Sequence, residues 1–176
     1  DRYYDVLEQK YSPKMVYQRI MTYITSKLEV LALPHMAHVF AESEYTMRLL
    51  EPFVSQKKIS LGVPGVDLDV FYPAQEYKRN SYILFVGRYS DPRKNLRLLL
   101  RAYDRFRKQV CSAPRLVLVG LGELTTSDAD YIKANSLGNH VDTYNNVTID
   151  KLGDLYRNAA LLVLSSNEEG LGIVIL

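Results

Sequence analysis

The sequence predicts an α/β fold in which a parallel sheet is covered by helices on both sides. Two observations predict it. From Tyr82 onward, short apolar runs alternate with helix-length segments, and the runs are apolar at consecutive positions. A strand that exposes one face to water alternates apolar and polar residues, whereas a strand covered on both faces is apolar throughout. Composition agrees: 47% hydrophobic and 24% charged residues in a chain of 176 suit one domain, or one domain and part of another, with a sizeable core.

Met15 to Leu33 carries Val16, Ile20, Tyr23, Ile24, Leu28 and Leu31 at helical spacing, an amphipathic helix that Pro34 ends. Ala37 to Ala41 suits a short buried strand. Ser43 can cap a second helix running to about Leu50, stopped by Pro52, and Lys57 to Leu61 gives another strand. Residues 62–80 lack periodicity and hold Gly62, Pro64, Gly65 and Pro73, the composition of a linker. Beyond it come a strand at Tyr82 to Val86 and a long helix opened by Asp91-Pro92 and reaching about Val110. A strand at Arg115 to Val119, a helix from about Ser127 to Leu137 and a weak strand at His140 to Tyr144 follow. Asp150 to Asn158 reads as a helix and Leu161 to Leu164 as a strictly apolar strand. Gly172 to Leu176 reads as a strand by propensity or as a helix start by its glycines and preceding acids. The expected division is 1–61, a linker at 62–80, and 81–176.

Several function classes are disfavoured. No apolar run approaches the roughly 18 residues that cross a bilayer, and Asp1-Arg2-Tyr3-Tyr4-Asp5 does not read as a signal peptide. A single cysteine, Cys111, excludes an internal disulfide framework and a cysteine-based zinc site within the chain, which favours a cytoplasmic setting. His35, His38 and His140 read as packed or surface histidines, since His35 and His38 follow Pro34 with no third ligand nearby. The tyrosines are scattered and form no basic-aromatic module, so no nucleic-acid partner is expected.

Three features carry chemistry. Arg93 and Lys94 follow Asp91-Pro92, in what reads as the first turn of a helix, where each exposed cation costs about 0.3–1 kcal/mol against the helix dipole. Arg88 lies just upstream, at the carboxyl end of a strand. A bound phosphate would reverse that cost; a solvated basic face is the other reading, and it suffices for Arg97, Arg101, Arg105, Arg107 and Lys108. Gly120-Leu121-Gly122 follows a strand as a nucleotide-binding turn would, or as any tight strand exit would, and Thr125 stands where a dinucleotide fingerprint needs its third glycine. Ser165-Ser166-Asn167-Glu168-Glu169-Gly170-Leu171-Gly172 leaves the most apolar strand. Its glycines let backbone N–H groups approach a ligand, and a carboxylate beside them can accept from paired sugar hydroxyls. Helix capping by Asn167 and an acid is the alternative.

Together these segments resemble the retaining GT-B glycosyltransferases called family 4, or glycosyl transferases group 1. The resemblance runs from about Ala37 and rests on an ordered set of motifs. They are Val63-Pro64-Gly65-Val66-Asp67 with Phe71-Tyr72-Pro73, Phe85-Val86-Gly87-Arg88, Arg93-Lys94-Asn95, and Leu116-Val117-Leu118-Val119-Gly120-Leu121-Gly122. Leu155-Tyr156-Arg157-Asn158-Ala159-Ala160 and Ser165 to Val174 complete it. It implies a Rossmann-like parallel sheet flanked by helices as the C-terminal donor-binding domain, preceded by the tail of a second Rossmann-like domain. It implies a nucleotide-diphosphate-sugar donor as substrate, no cofactor and no metal. Arg88 and Lys94 would contact the diphosphate and Glu169 the donor sugar. Backbone at Gly87, Gly170, Leu171, Gly172 and Ile173 would support sugar and diphosphate, and Val147, within the loop 146–148, would border the base.

The sequence departs from the family's pattern in places. A second glutamate, linked to the ribose, would fall at the first position after Leu176, so the expected donor site is incomplete within these residues. Pro64 meets Gly65 directly where an asparagine is usual, Asn95 replaces a common glycine, and most of an acceptor domain is not represented. The acceptor, whether saccharide, lipid-linked or small molecule, is left open. Peripheral membrane association through the basic helix 93–108 is compatible with the sequence. The alternative function is a non-catalytic nucleotide-binding or interaction module derived from the same fold.

Overall fold

The computed structural model describes residues 13–74 and 82–176. The chain divides into two compact units between Val63 and Pro64. Residues 75–81, which take in the last part of the expected linker, 75–80, lie outside the described residues.

The first unit contains helix α1 (Pro13–Ala32), strand β1 (Val39–Ala41), helix α2 (Glu44–Leu50) and strand β2 (Ile59–Leu61). The strands pair in parallel, with Val39 opposite Ile59 and Ala41 opposite Leu61. Ser43 caps α2 as expected, its hydroxyl accepting from the Thr46 N–H at 3.1 Å. Ala41, Val54 and Ile59 form a small core with Leu33, Met47 and Leu50 against it. The apolar stripe of α1 is exposed, Ile20 at 53% and Leu28 at 60%. His38 is exposed, shares a hydrogen bond with the Ser60 hydroxyl at 2.9 Å and lies beside Phe40, a surface histidine.

The second unit is the predicted α/β layer. Strands β3 (Tyr82–Val86), β4 (Leu116–Gly120), β5 (Val141–Asn145) and β6 (Ala159–Leu162) form one parallel sheet in the order β5-β4-β3-β6. Helices α3 (Leu96–Gln109), α4 (Thr126–Ala134) and α5 (Ile149–Arg157) connect them. Because successive side chains point to opposite faces, the apolar strands feed two separate cores. Phe85, Leu116 and Leu118 pack on one face with Leu96, Leu99, Leu100 and Tyr103 of α3. Leu84, Val117 and Val119 pack on the other with Leu152, Leu155 and Tyr156 of α5. Burial at about 25 cal/mol per Å² of apolar surface makes these two layers the main stabilising contribution.

Three sequence expectations are corrected. The long helix does not begin at Pro92: Pro92–Lys94 is a 3-10 turn, Asn95 takes a left-handed conformation (φ 46, ψ 48), and α3 starts at Leu96 with Asn95 as its cap. Position 95 breaks the helix because a left-handed residue cannot continue a right-handed one. The last strand is Ala159–Leu162, two residues earlier than its apolar peak; it pairs with β3 at the edge of the sheet among the described residues, and its Leu161 is 55% exposed. The final apolar run is neither strand nor α-helix but a 3-10 turn, Ile173–Ile175, entered through Gly172 at φ 74.

Candidate functional site

The sheet order fixes where a ligand site can lie. The chain proceeds from β3 to β4 to β5 on one side of β3, then returns to place β6 on its other side. Connections therefore diverge between β3 and β6, and in open parallel sheets the crevice at the carboxyl ends of such a strand pair is where ligands bind. Gly87 and Arg88 directly follow β3. The loop 163–172, carrying Glu169, directly follows β6.

Lys94 and Glu169, 75 residues apart, meet here with Nζ at 2.5 Å from Oε1. The same carboxylate oxygen accepts from the Ser166 hydroxyl at 2.6 Å. Their side chains are 17% and 28% exposed, so the pair is half-enclosed. Partial burial opposes ionisation of Glu169, but the hydrogen bonds from Lys94 and Ser166 and the charges of Lys94 and Arg93 outweigh it, holding its carboxyl below the ordinary value. The two loops are joined further. Ser165 Oγ donates to the Lys94 carbonyl at 2.8 Å, the Asn167 N–H donates to the Arg93 carbonyl at 2.8 Å, and Asn95 Nδ2 donates to Asn167 Oδ1 at 3.0 Å. No helix starts at residues 168–172, so the capping reading of Asn167 is set aside.

The cations are not left facing a bare helix dipole. Asp91 accepts from the Arg93 N–H at 3.1 Å and from its guanidinium at 3.1 and 2.8 Å. Those Arg93 hydrogen bonds hold the Asp91 carboxyl down to about 2. Arg88 makes a longer contact with Asp91, 3.4 Å, and its side chain is 63% exposed. Arg93 and Lys94 thus have carboxylate partners within the chain, and Arg88 is the more available of the cations. Arg97, Arg107 and Lys108, read as surface residues, also pair internally, Arg97 with Asp128 and the other two with Asp104.

Two closely packed features hold this edge in place. Tyr89, directly after Arg88, is 3% exposed and its hydroxyl lies within hydrogen-bond distance of the Leu118 and Tyr144 carbonyls, at 2.9 and 3.0 Å. Burial pushes that phenol well above its ordinary value, so it stays a neutral donor. Gly120 is required by packing: a Cβ there would stand 2.5 Å from the Gly87 carbonyl oxygen and 2.7 Å from the Tyr89 ring. The Gly120-Leu121-Gly122 segment is therefore accounted for as a tight strand exit.

The remaining expected residues are spread along the same edge. Gly87 lies beneath Lys94, where a Cβ would come 3.5 Å from the lysine Cγ. Gly170 is exposed, Leu171 half-buried and Gly172 buried. Val147 follows β5, two strands or roughly 10 Å from β3, with its side chain on the α5-side core. The loop before it is shaped by Asn146 at φ 52, which accepts from the Gly122 N–H at 3.3 Å. Ile173 points elsewhere: with Phe71, Tyr72, Tyr156 and Val174 it lines an apolar cavity of about 430 Å³. Arg88, Lys94 and Glu169 do not line that cavity, and an apolar hollow is a poor seat for a diphosphate. The charged crevice, not this hollow, is the candidate site. Sequence reasoning missed Asp91, Asn95, Ser165, Ser166 and Asn167 as parts of it; Asn95 and residues 165–167 stand within the motifs that carry Lys94 and Glu169, but the pairing of Asn95 with Asn167 across 72 residues leaves no local signal.

Known proteins bear on this arrangement. The fold is similar to that of TarM, with a TM-score of 0.71, 16% identity, and coverage of 85% of this chain and 29% of that one. It is similar to sucrose-phosphate synthase from Thermosynechococcus elongatus, with 0.70, 23%, 84% and 39% respectively. It is also similar to the pneumococcal O-GlcNAc transferase GtfA, solved in complex with UDP and GlcNAc, with 0.67, 12%, 84% and 29%. The chain spans between 29% and 39% of the length of these structures, and they show the fold alone. Among curated proteins no sequence matches it. A family model described as Glycosyl transferases group 1 matches residues 71–176, which hold both loops of the crevice. The chain belongs to the glycosyl transferases group 1 family.

Proposed function

We propose that the protein transfers a sugar from a nucleoside-diphosphate-sugar donor to an acceptor with retention of anomeric configuration, and that residues 82–176 hold the donor. The observation that carries this is the meeting of Lys94 and Glu169 at the switch point between β3 and β6. One group suits a diphosphate, the other paired sugar hydroxyls, and a nucleotide sugar presents these two features next to each other. A solved structure of similar fold, the GtfA transferase, contains UDP and GlcNAc, which supports a donor of this class.

The chemistry follows from the charges. The bond between the anomeric carbon and the phosphate oxygen breaks with its electron pair leaving on the diphosphate, while the acceptor oxygen bonds the same carbon on the same face and passes its proton to the departing phosphate oxygen. Negative charge accumulates on the diphosphate in the transition state, and preorganised cations stabilise it. Lys94 spends one ammonium N–H on Glu169 and has others for a phosphate oxygen. Arg88, exposed and with a fork of donors, supplies the second cation. Glu169, kept ionised by its partners, accepts from the sugar hydroxyls. Main chain at Gly170, Leu171, Gly172 and Ile173 lies along the sugar and diphosphate, and the loop at Val147 borders the base. No metal enters this scheme.

Isothermal titration of the full-length protein against UDP, GDP and ADP tests the proposal. One of the three is expected to bind well above the others. Binding of none would overturn it.

A further inference from the structure

Resting on the donor-binding reading above, we propose that Asn95 and Asn167 form a cross-loop latch that aims Glu169 at the sugar half of the donor. Both are positioning residues, since they act through Glu169.

The inference starts from backbone conformation. Asn95 occupies the left-handed region at φ 46 and ψ 48, which glycine adopts freely and asparagine tolerates. Glycine would satisfy the turn. The asparagine side chain adds two bonds that glycine cannot make. Its Oδ1 accepts from the Leu98 N–H at 3.3 Å, capping α3, and its Nδ2 donates to Asn167 Oδ1 at 3.0 Å. Asn167 is also held by its main chain, whose N–H donates to the Arg93 carbonyl at 2.8 Å. Residue 167 is therefore fixed twice to the turn that presents Lys94, two positions before Glu169.

That fixation matters because residues 163–172 belong to no helix or strand. Nothing periodic sets the direction of the loop past Val163, whose N–H donates to the Leu84 carbonyl at 2.9 Å, and bonds to the 93–95 turn are among those that shape it. A recognition group must be held within about 0.5 Å of its working geometry. Lys94 and Ser166 fix the Glu169 carboxylate itself, and the latch fixes the backbone that carries it. Lys94 must also serve the diphosphate, and an anchor that does not use Lys94 keeps Glu169 placed while the lysine does so. Asn167 is exposed, so the latch adds little to global stability and acts on local geometry.

The test compares wild type, Asn95→Gly, Asn167→Ala and the double variant in the full-length protein. Isothermal titration measures affinity for UDP-, GDP- and ADP-glucose and for the matching nucleoside diphosphates. Glycine keeps the left-handed turn and is a good helix cap in its own right. Each single variant should weaken the preferred nucleotide sugar about fivefold, ~1 kcal/mol at 1.4 kcal/mol per tenfold. The matching diphosphate should stay within about twofold, because it does not touch Glu169. The double variant should be no worse than either single, since all three lose the same bond. Unchanged sugar affinity in the variants, or equal weakening toward sugar and diphosphate, would overturn the latch while leaving the donor site standing. A wild type that binds no nucleotide at all would overturn the donor reading and the latch with it.

Discussion

Replacing Glu169 by glutamine separates recognition from stability. Glutamine keeps one carbonyl oxygen where Glu169 Oε1 now accepts from Lys94 at 2.5 Å and Ser166 at 2.6 Å, so the loop keeps its shape. What is lost is charge. Hydrogen bonds to charged groups contribute about 1.5–3 kcal/mol and neutral ones about 0.5–1.5; Lys94 stays charged, and the carboxylate is 28% exposed and therefore screened. The stability loss should be ~0.5–1 kcal/mol, a few degrees in Tm. The loss in donor use should be larger, because sugar hydroxyls bound to a carboxylate in an enclosed transition state lose about 1.5–3 kcal/mol, roughly 10- to 100-fold in kcat/KM. The assay is kcat/KM for the nucleotide sugar at fixed acceptor, with a thermal melt on the same sample. The sign of the pH dependence adds a control. Glu169 is depressed below its ordinary 4.5 when folded, so its stabilisation is present above that value and is lost as pH falls through the folded value. The stability gap between wild type and Glu169→Gln should accordingly close in acid. A glutamine variant with wild-type kcat/KM would refute the sugar-binding role.

The other predictions concern the cations and the strand edge. Arg88→Ala and Lys94→Ala should each cut turnover by at least about tenfold, or 1.4 kcal/mol of transition-state stabilisation; Arg88→Ala should leave Tm unchanged because its side chain is 63% exposed. Wild-type turnover in either would remove that residue from the diphosphate role. Gly120→Ala should destabilise the fold by about 2 kcal/mol or more, as overpacking against a backbone oxygen 2.5 Å away allows no rotamer escape. A chemical-denaturation midpoint equal to wild type would show that β3 and β4 can separate freely at that point.

The fold was legible because both faces of its sheet write the same signal. Leu84 and Phe85, or Val117 and Leu118, are adjacent yet feed different cores, so the strands appear in sequence as unbroken apolar runs. Boundaries were less legible where tertiary pairing decides them. Ala159 belongs to β6 because it pairs with Tyr82, while the more apolar Val163 follows the strand. The break at Asn95 was hidden because Asp91-Pro92 is a sound helix opening by itself, and only the backbone shows the left-handed residue after it. Arg88, Lys94 and Glu169 could be singled out from sequence because each follows a strand in a motif. Asn95 and Asn167 could not, since a hydrogen bond spanning 72 residues leaves no local pattern.

The structure changes why those charged residues matter. By sequence, an aspartate-proline helix opening followed by two cations fits either an outside anion or a solvated basic face. Within the fold, Asp91 holds Arg93 and Glu169 holds Lys94, so the electrostatic cost is met without a ligand. Charge imbalance therefore carries little of the functional argument. Convergence carries it instead. A cation after β3 and a carboxylate after β6, brought together across the point where the sheet's connections diverge, are not explained by stability alone, since an ion pair still partly open to solvent, 17% and 28% exposed, contributes only about 1 kcal/mol. Apolar residues at the same two positions would join the loops as well. Three side chains of the 165–169 loop, Ser165, Asn167 and Glu169, instead meet the 93–95 turn with polar groups, which is the arrangement expected where the join must also accept a polar ligand.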